Sequence, residues 1–374
     1  MTRHFNKPDK RAIKDKSRRM TRSLPASSKK NAMHSKERQA DHFARSNPLT
    51  TSTLPRETAT ARPLDWPEKG AWPCERIPVM LETGKAGDFH LIDSGDGLKL
   101  ERYGRYRIIR PEAQALWPRR LPEKVWNGAD AVFTGDVEEE GAGRWRFAQE
   151  MPDETWPLHM LGVDFLGRFT AFRHVGVFAE QAAHWSFLQQ KIRSAEHPVT
   201  VLNLFGYTGL ASLIAARAGA RVTHVDASRK AIAWARENQA RAQLTDRPIR
   251  WICDDATKFV EREMRRGRQY DIILSDPPKF GRGPNGEVWN LFDDLASHLL
   301  TCRSLLSDRA LAFVVTAYSI RASFFAIHGL MRDIMRGRGG LVESGELLLR
   351  ECGEDGERHE RLLSTSLFSR WTPA

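Results

Sequence analysis

The sequence has few cysteines and lacks long hydrophobic runs. Its four cysteines among 374 residues have no regular spacing, which argues against a disulfide framework or a zinc site and indicates a reducing compartment. No apolar run approaches the roughly eighteen residues that a membrane helix needs, and no charged-then-apolar leader precedes a cleavage site. We therefore expect a cytoplasmic, metal-free protein whose length is sufficient for two domains.

Negative charge is scarce only at the start of the chain. The net charge is +11, and residues 1–62 hold 16 of the 58 Lys and Arg residues but 5 of the 47 Asp and Glu residues, so residues 63–374 hold 42 of each. The first segment is rich in Ser, Thr and Lys and poor in aromatics, so we predict a disordered basic tail over residues 1–64. The tail could release counterions when RNA binds. A solubilising segment and a mitochondrial transit peptide are the alternatives.

The region that follows, residues 65–155, is rich in tryptophan. Six of the eleven tryptophans lie between Trp66 and Trp156, and short β-like runs are separated by glycine-containing turns. We predict a small β-rich domain here. The run from Arg102 to Arg110 combines four arginines with two tyrosines. This composition fits a strand that contacts RNA phosphate and stacks on bases, and it fits an ordinary solvated β face equally well.

An apolar run that ends in Asp-Pro-Pro is the most informative segment of the chain. The stretch from Tyr270 to Ser275 reads as a buried strand, and Asp276, Pro277 and Pro278 follow it directly. Two prolines donate no backbone hydrogen bonds and fix φ, so the chain leaves the sheet here in a rigid extended turn. Open α/β sheets bind ligands at the carboxyl ends of their strands, so we expect this turn to face a ligand.

A second ligand-facing turn is predicted further upstream. The residues from Val199 to Leu202 form a short apolar strand, Gly206 and Gly209 follow it, and Leu210 to Ala218 form an Ala-rich amphipathic helix. Glycines at such a turn let the backbone approach a ligand closely. The next strand ends at Asp226, where a carboxylate is placed to accept hydrogen bonds from the ribose hydroxyls of a nucleoside.

The spacing of the glycines narrows the class of cofactor. Tyr207 and Thr208 stand between them, so the segment does not match G-x-G-x-x-G, and a nicotinamide dehydrogenase is disfavoured. A pyrophosphate needs that full pattern at a helix N-terminus, whereas S-adenosylmethionine tolerates a looser turn. A third strand, Ile249 to Cys253, ends in Asp254 and Asp255. One of these acids, with Asp255 favoured, could accept from the adenine amino group, and either could instead cap the next helix.

Three motifs in this order carry a resemblance to a known family. The segment from Asn203 to Gly209 reads N-L-F-G-Y-T-G, Asp276 to Phe280 reads D-P-P-K-F, and His174 to Gln181 reads H-V-G-V-F-A-E-Q. Residues 170–374 resemble the class I S-adenosylmethionine-dependent methyltransferases of the bacterial 23S ribosomal RNA large-subunit type. The resemblance implies an α/β fold with a Rossmann-like, seven-stranded sheet that is closed by an antiparallel hairpin. Two β-like runs, Leu341 to Arg350 and Arg361 to Trp371, agree with the hairpin, since a charged turn separates them.

The resemblance also implies a methyltransferase domain over residues 156–374 and the positions of its functional residues. The expected catalytic residues are Asp276, Pro277, Pro278 and Phe280. The expected cofactor-binding residues lie in the three motifs and at the strand ends: His174, Phe178, Gln181, Asn203, Phe205, Gly206, Tyr207, Thr208, Gly209, Asp226, Ala227, Ser228, Asp254, Asp255, Ala256 and Asp276. Phe280, Trp289 and Tyr318 could clamp a flipped base, although buried aromatics are more often part of a core.

The chain departs from those family members that methylate cytosine at carbon 5. Such enzymes need a cysteine thiolate that adds to the ring, and they carry it just after the fifth strand. Here that place is occupied by Ala317, Tyr318 and Ser319, and none of the four cysteines takes a comparable position. We therefore expect direct methyl transfer to a nitrogen or oxygen that already has a lone pair.

Together these features predict an S-adenosylmethionine-dependent methyltransferase that acts on RNA, with ribosomal RNA as the expected substrate. Two alternatives stay open. The first is a methyltransferase of small molecules or proteins, which is favoured if the β-rich domain has no basic face. The second is an RNA assembly factor that binds the cofactor without turnover, against which the intact Asp-Pro-Pro segment argues.

Overall fold

The computed structural model describes most of the chain beyond its basic start. The described residues are 65–135, 143–150, 154–318, 322–353 and 357–374. The predicted disordered tail over residues 1–64 lies outside them, and so does Ser319. Within these ranges, no helix is long and apolar enough to cross a bilayer.

The described ranges contain seventeen strands, seven α-helices and one short 3₁₀ helix at Ala179–Gln181. The strands are β1 (Cys74–Thr83), β2 (Phe89–Gly95), β3 (Leu98–Tyr103), β4 (Tyr106–Pro111), β5 (Ala131–Thr134), β6 (Arg144–Phe147), β7 (Thr155–Met160), β8 (Val163–Arg168), β9 (Thr200–Leu204), β10 (Arg221–Asp226), β11 (Ile249–Cys253), β12 (Ile272–Ser275), β13 (Phe280–Arg282), β14 (Val288–Asn290), β15 (Ala312–Tyr318), β16 (Leu341–Cys352) and β17 (Arg358–Thr372). The helices are α1 (Glu123–Trp126), α2 (Ala182–Ser194), α3 (Leu210–Arg217), α4 (Arg229–Arg241), α5 (Ala256–Arg265), α6 (Leu291–Ser304) and α7 (Phe324–Ile334).

The second half of the chain builds the seven-stranded sheet that the sequence predicts. The strand order is β11-β10-β9-β12-β15-β17-β16. The first five strands are parallel, and β17 runs antiparallel to both of its neighbours. The expectation of a Rossmann-like sheet closed by an antiparallel hairpin is therefore confirmed.

Two apolar cores hold this sheet, one on each face. Val201 and Ile272 belong to the core that contains residues of α2 and α3, whereas the adjacent Leu202 and Ile273 belong to the core that contains residues of α5, α6 and α7. Successive side chains of a strand point to opposite faces. Because helices cover both faces, these strands are apolar at consecutive positions, as parallel sheets require.

Side-chain caps fix where several helices begin. Ser228 accepts a hydrogen bond from the Ala231 N–H at the start of α4, and Asp255 accepts one from the Lys258 N–H at the start of α5. Each cap satisfies a backbone donor that has no partner within the helix. Both helices therefore begin directly after the carboxyl end of a parallel strand.

The tryptophan-rich region extends the same sheet. Strand β2 pairs with β16 at Leu91 and Glu351, β3, β4, β5 and β6 follow in order, and β1 lies parallel to β16. Thirteen of the seventeen described strands thus form one sheet, with β6 at its outer end. Strands β7 and β8 form a separate antiparallel pair, and the expected domain boundary at residue 155 falls on the first residue of β7.

Charged side chains inside this extension are buried and paired. The Arg110 Nε donates to Glu101 Oε2 at 2.7 Å, Arg110 Nη2 donates to the Tyr103 hydroxyl at 2.7 Å, and Lys99 Nζ lies 3.1 Å from Glu112 Oε2. Arg110 and Tyr103 are about as buried as core residues. The interpretation of the whole run as an RNA-facing strand is therefore wrong for these two side chains, because neither reaches the surface.

Candidate active site at the carboxyl ends of the parallel strands

Two neighbouring cavities open where the parallel strands end. The larger, with a volume of about 350 Å³, lies among the ends of β9, β10, β11, β12 and β15, and we call it the tip cavity. The smaller, of about 60 Å³, reaches between β9, β12 and β15 toward α2, and we call it the inner cavity. Phe178, Phe205, Tyr207 and Asp276 line both. The two cavities therefore form one continuous site at the edge where open α/β sheets bind ligands.

The structure brings most of the predicted site residues to these cavities. Those that line the tip cavity are His174, Phe178, Phe205, Tyr207, Asp226, Ala227, Ser228, Asp255, Ala256, Asp276, Pro277 and Pro278. Those that line the inner cavity are Phe178, Gln181, Asn203, Phe205, Gly206, Tyr207, Thr208 and Asp276. Gly209, Asp254 and Phe280 line neither.

The glycine-containing turn after β9 has an unusual backbone. Phe205 and Tyr207 have φ values of 56° and 51°, in the left-handed region that large side chains rarely adopt. A Cβ on Gly206 would lie 2.4 Å from the His224 ring, so no larger residue fits between the two strained positions. Such strain persists where the surrounding structure enforces it, and it concentrates at functional sites. Here it places two aromatic rings on the cavity walls.

Asp226 is held rigidly at the end of β10. Its Oδ2 accepts the Tyr207 N–H and its Oδ1 accepts the Ser228 N–H, both at 2.8 Å. Burial raises the pKa of this carboxyl, and the two backbone donors oppose that shift. Each carboxylate oxygen has lone pairs left after one such bond. The group is thus oriented, faces the tip cavity and can accept from two neighbouring hydroxyls.

The two acids that follow β11 have different surroundings. Asp255 caps α5 and also lines the tip cavity, so the expected helix cap is present, and the contact with adenine stays a prediction. Asp254 is turned away, because its carboxylate accepts the Asp255 N–H and contacts Arg262. The structure therefore supports the preference for Asp255 and leaves Asp254 with a structural ion pair.

Asp276 stands at the junction of the two cavities. The Gln181 amide Nε2 donates to Asp276 Oδ2 at 3.1 Å and lies equally far from the Thr316 hydroxyl. Gln181 ends the 3₁₀ helix before α2 and Thr316 lies in β15, so the amide that holds the carboxylate is itself bonded to a neighbouring strand. Its position between the two cavities is where a group bound in one would meet a group bound in the other.

The Asp-Pro-Pro turn is braced from behind by a tryptophan. The Trp289 indole N–H donates to the Pro278 carbonyl at 2.7 Å, and its ring lies 5.0 Å from that of Phe205. The Pro278 carbonyl is therefore already occupied on one side. Phe280 begins β13 and is 58% exposed, so its ring faces solvent and does not form part of the cavity wall.

An aromatic wall closes the side of the tip cavity opposite the turn. The His174 ring lies 4.4 Å from that of Phe178 and 5.9 Å from that of Tyr318. Burial, reinforced by the charges of Arg110 and two other cations, holds the pKa of His174 well below its ordinary value. The imidazole is therefore neutral near pH 7 and acts as part of an apolar surface.

Cysteine nucleophiles and clusters of metal ligands are the groups that could support other chemistry at this site. None of the four cysteines lines either cavity, and burial raises the pKa of Cys302 far above the range in which a thiolate forms. Across the described ranges, no group of three or more His, Cys, Asp or Glu side chains is placed to hold a metal ion.

Several lining residues were missed by the sequence analysis. They include Phe172, Gly281, Arg282 and Gly283 in the tip cavity and Gly176, His184, Trp185, Leu188 and Thr316 in the inner cavity. Gly176 carried a usable signal, since it is the glycine of the H-x-G-x-F run and its φ is 103°. The β13–β14 hairpin carries Gly281 and Arg282 back over the site, and three-residue strands leave no periodic pattern to detect.

Solved structures and a family match agree with this architecture. The family described as conserved hypothetical protein 95 matches residues 181–306. A crystal structure of the SAM-dependent methyltransferase from Agrobacterium tumefaciens is 64% identical, covers 82% of this chain and 97% of its own, and superimposes with a TM-score of 0.79. A methyltransferase candidate from Streptococcus mutans, at 17% identity and a TM-score of 0.55, covers 77% of this chain and 76% of its own. It shows the fold alone.

Curated relatives match a shorter segment. The ribosomal RNA large subunit methyltransferase K/L of Pseudoalteromonas atlantica is 36% identical over 241 residues, which is 59% of this chain and 33% of that protein. The protein of the same name from Shewanella sp. (strain MR-4) is 33% identical over 140 residues, which is 37% of this chain and 19% of that protein. The chain thus spans between a fifth and a third of the length of these relatives.

The parallel sheet with its closing hairpin, the glycine turn and the acid at the end of the second strand define a class I methyltransferase fold. The likeness to the Agrobacterium protein extends over nearly all of that structure. This chain belongs to the S-adenosylmethionine-dependent methyltransferases. The predictions of the family, of an enzyme that transfers methyl groups and of S-adenosylmethionine as its cofactor are confirmed.

Proposed function

We propose that this protein methylates ribosomal RNA by direct transfer, without a covalent enzyme adduct. The observation that carries the proposal is the position of Asp276, which lines both cavities and is held there by Gln181. The RNA class rests on the curated relatives, whose names specify ribosomal RNA. A cytoplasmic location is part of the proposal, as is the division into an accessory domain over residues 65–155 and a methyltransferase domain over residues 156–374.

The residues around the cavities fit an adenosine-containing cofactor. Asp226 offers two oriented carboxylate oxygens for the ribose hydroxyls, and Asp255 offers an acceptor for the adenine amino group. Phe178 and Phe205 supply apolar walls. The inner cavity, with Asn203 among its polar lining residues, is the place for the amino-acid end. S-adenosylmethionine supplies an electrophilic methyl group on a sulfonium when bound.

The chain's own contribution to the reaction is positioning. Asp276, fixed by Gln181, accepts a hydrogen bond from the acceptor group and sets its lone pair in line with the methyl group. The Pro278 carbonyl is braced by Trp289 and keeps the turn rigid. The absence of cysteines from both cavity linings favours an acceptor nitrogen or oxygen over carbon 5 of cytosine.

The experiment that tests this proposal compares three forms of the full chain. Wild-type protein, Asp276→Ala and the control Asp308→Ala, which changes an exposed residue, are incubated with methyl-labelled S-adenosylmethionine and an extract of cells that lack this protein, and the extract is then separated into RNA, protein and small-molecule fractions. Mass spectrometry of the digested nucleosides then identifies the modified base. We expect label in ribosomal RNA with the wild type and the control, and almost none with Asp276→Ala. Label that appears only in protein or small-molecule fractions would overturn the RNA assignment.

A further inference from the structure

A third cavity lies at the outer end of the sheet, away from the cofactor site. Its volume is about 500 Å³, within the roughly 300–1,000 Å³ of small-ligand sites. Its lining includes Tyr106, Arg107, Phe147 and Phe169, together with residues 127–131 and 148–150, which contain the polar residues Asn127, Asp130, Gln149 and Glu150. We call it the β6 cavity, because Phe147 ends the strand β6.

Aromatic rings form the floor of the β6 cavity. The Phe169 ring lies 5.1 Å from that of Phe147 and 5.7 Å from that of Tyr106, and Trp156 packs 4.6 Å below Phe169. Phe147 remains 37% exposed. A rigid aromatic floor with one exposed ring is suited to stack a planar heterocycle, since every base offers a π face.

Polar groups at the cavity are placed to recognise a base edge. The Tyr106 hydroxyl is buried and has no hydrogen-bond partner among the described residues. A buried hydroxyl without a partner costs free energy that a ligand atom can recover. Asn127 adds an amide with both donors and acceptors. The cavity thus combines stacking surface with unsatisfied hydrogen-bonding capacity.

Charged side chains of both signs surround the β6 cavity. Arg107 lines it together with the acids Asp130 and Glu150, and the Asp130 Oδ2 accepts the Arg107 N–H at 2.7 Å. Arg144 and Arg146 are exposed on β6, at the edge of the sheet. The phosphates that flank a bound base would therefore meet these edge arginines rather than the cavity lining.

A short segment connects the β6 cavity to the active site. Phe169 lines the β6 cavity and Phe172 lines the tip cavity, so their Cα atoms are at most about 10 Å apart. The segment is fixed to β6, since the Trp145 indole N–H donates to the Thr170 carbonyl and the Gly143 N–H donates to the Ala171 carbonyl, both at 2.9 Å. A few nucleotides of single-stranded RNA would span this distance.

We propose that the β6 cavity binds an unpaired nucleobase of the acceptor RNA, a few nucleotides away from the one that is methylated. This inference rests on the proposed RNA substrate and adds a second contact that fixes the register of the strand. Phe147 stacks on the base, the Tyr106 hydroxyl bonds its edge, and the arginines on and beside β6 contact the flanking phosphates.

The test measures RNA binding without turnover. A fluorescein-labelled single-stranded RNA decamer of mixed sequence is titrated into wild-type protein, Phe147→Ala, Phe147→Trp and Tyr106→Phe. Phe325→Ala, which removes a 58% exposed ring from α7, is the matched control. We expect Phe147→Ala to weaken binding about 5-fold to 100-fold, the range for loss of one stacked base. Tyr106→Phe should weaken it about 2-fold to 10-fold, while Phe147→Trp and the control bind like wild type.

Two further measurements separate this inference from the proposed function. The thermal midpoint of Tyr106→Phe should equal or exceed that of wild type, because the change loses no internal hydrogen bond and removes a buried hydroxyl that has no partner among the described residues. Methylation of ribosomal RNA decides the proposed function by itself. If RNA is methylated and Phe147→Ala binds the decamer as tightly as wild type, the base-binding role is overturned and the proposed function stands. A wild type that does not bind the decamer overturns the base-binding role as well.

Discussion

The ends and the interiors of the strands place charged side chains in opposite ways. In the half that carries the site, Asp226 is the last residue of β10 and Asp276 directly follows β12, and both line a cavity. In the other half, Glu101 and Arg110 lie inside β3 and β4, where they are buried against each other. The position of a charge relative to the end of its strand, rather than its presence, separates a site from a structural pair.

The physical reason is the direction in which a side chain can leave the strand. A residue within a strand points into one of the two faces, so a charge there is buried if that face is covered. A residue at the carboxyl end of a parallel strand lies where the sheet stops and the next helix begins. There, backbone N–H groups can orient a carboxylate, as Tyr207 and Ser228 do for Asp226.

The largest effect is expected when the buried pair of Glu101 and Arg110 is broken. Burial raises the pKa of Glu101, but Arg110 and Lys99 outweigh it and hold that pKa below its ordinary value. Glu101→Gln leaves the buried Arg110 without its carboxylate partner, so we expect a loss of about 3–5 kcal/mol in the free energy of unfolding, measured by urea titration. The double variant Glu101→Leu/Arg110→Met should recover much of this loss. A double variant less stable than Glu101→Gln would contradict this account.

The next prediction concerns Asp276, which follows β12 and lies between the two cavities. Asp276→Ala should lower kcat by about 100-fold or more, as expected for a positioned catalytic group, while the Kd of S-adenosylmethionine changes little. Single-turnover kinetics and calorimetry measure the two quantities separately. Asp276→Asn keeps an oxygen that can accept from Gln181, so its kcat should fall less than that of Asp276→Ala. If Kd and kcat deteriorate together, Asp276 holds the cofactor instead of the acceptor, which is the other role that its motif implies.

The sequence was sufficient to place the acids at the strand ends, because the residue patterns that mark these ends are local. Paired prolines, glycines at a turn and acids that follow apolar runs each act through neighbouring backbone, so Asp226, Asp255 and Asp276 could be placed without the fold. The Asp276–Gln181 contact could not, because it joins residues that are distant in the chain. Only the motif resemblance placed Gln181 near the cofactor.

The burial of Arg110 could not be predicted from the sequence, for a different reason. A run that combines arginine with tyrosine looks the same whether its face meets water or another layer, and the layer here comes from distant segments such as the one that contains Arg173, whose carbonyl accepts from Arg110. The position of Phe280 was also unpredictable, since β13 turns its ring outward through pairing with β14. Tertiary contacts, not local propensity, decide both cases.

A smaller effect is expected when the end of β10 is altered. Asp226→Asn should weaken S-adenosylmethionine binding by about 1.5–3 kcal/mol, the range for hydrogen bonds to a charged group, as measured by calorimetry. Asp254→Asn is the control, because that carboxylate lines neither cavity and contacts Arg262. A larger loss for Asp254→Asn than for Asp226→Asn would reverse the assignment of the two acids.

The smallest effect concerns pH, because the half of the sheet that carries the site also buries histidines near the strand ends. Burial lowers the pKa of His298 to about 4, from an ordinary value of 6.5. Between these values the unfolded chain binds more protons than the folded one, so the stability is fully present above pH 6.5 and is lost as the pH falls toward 4. At pH 5.5 this histidine alone should lower the free energy of unfolding by about 1 kcal/mol relative to its value above pH 6.5. Urea titrations across this range should therefore show a flatter pH dependence of the free energy of unfolding for His298→Leu than for wild type.

The control for this prediction is Ser275→Ala. This change removes the hydroxyl partner of His298, 3.2 Å away, but keeps the imidazole, so it should retain the wild-type slope. An unchanged slope in His298→Leu would mean that other groups, such as His184 and His224, whose pKa values burial lowers to about 3, account for the acid sensitivity.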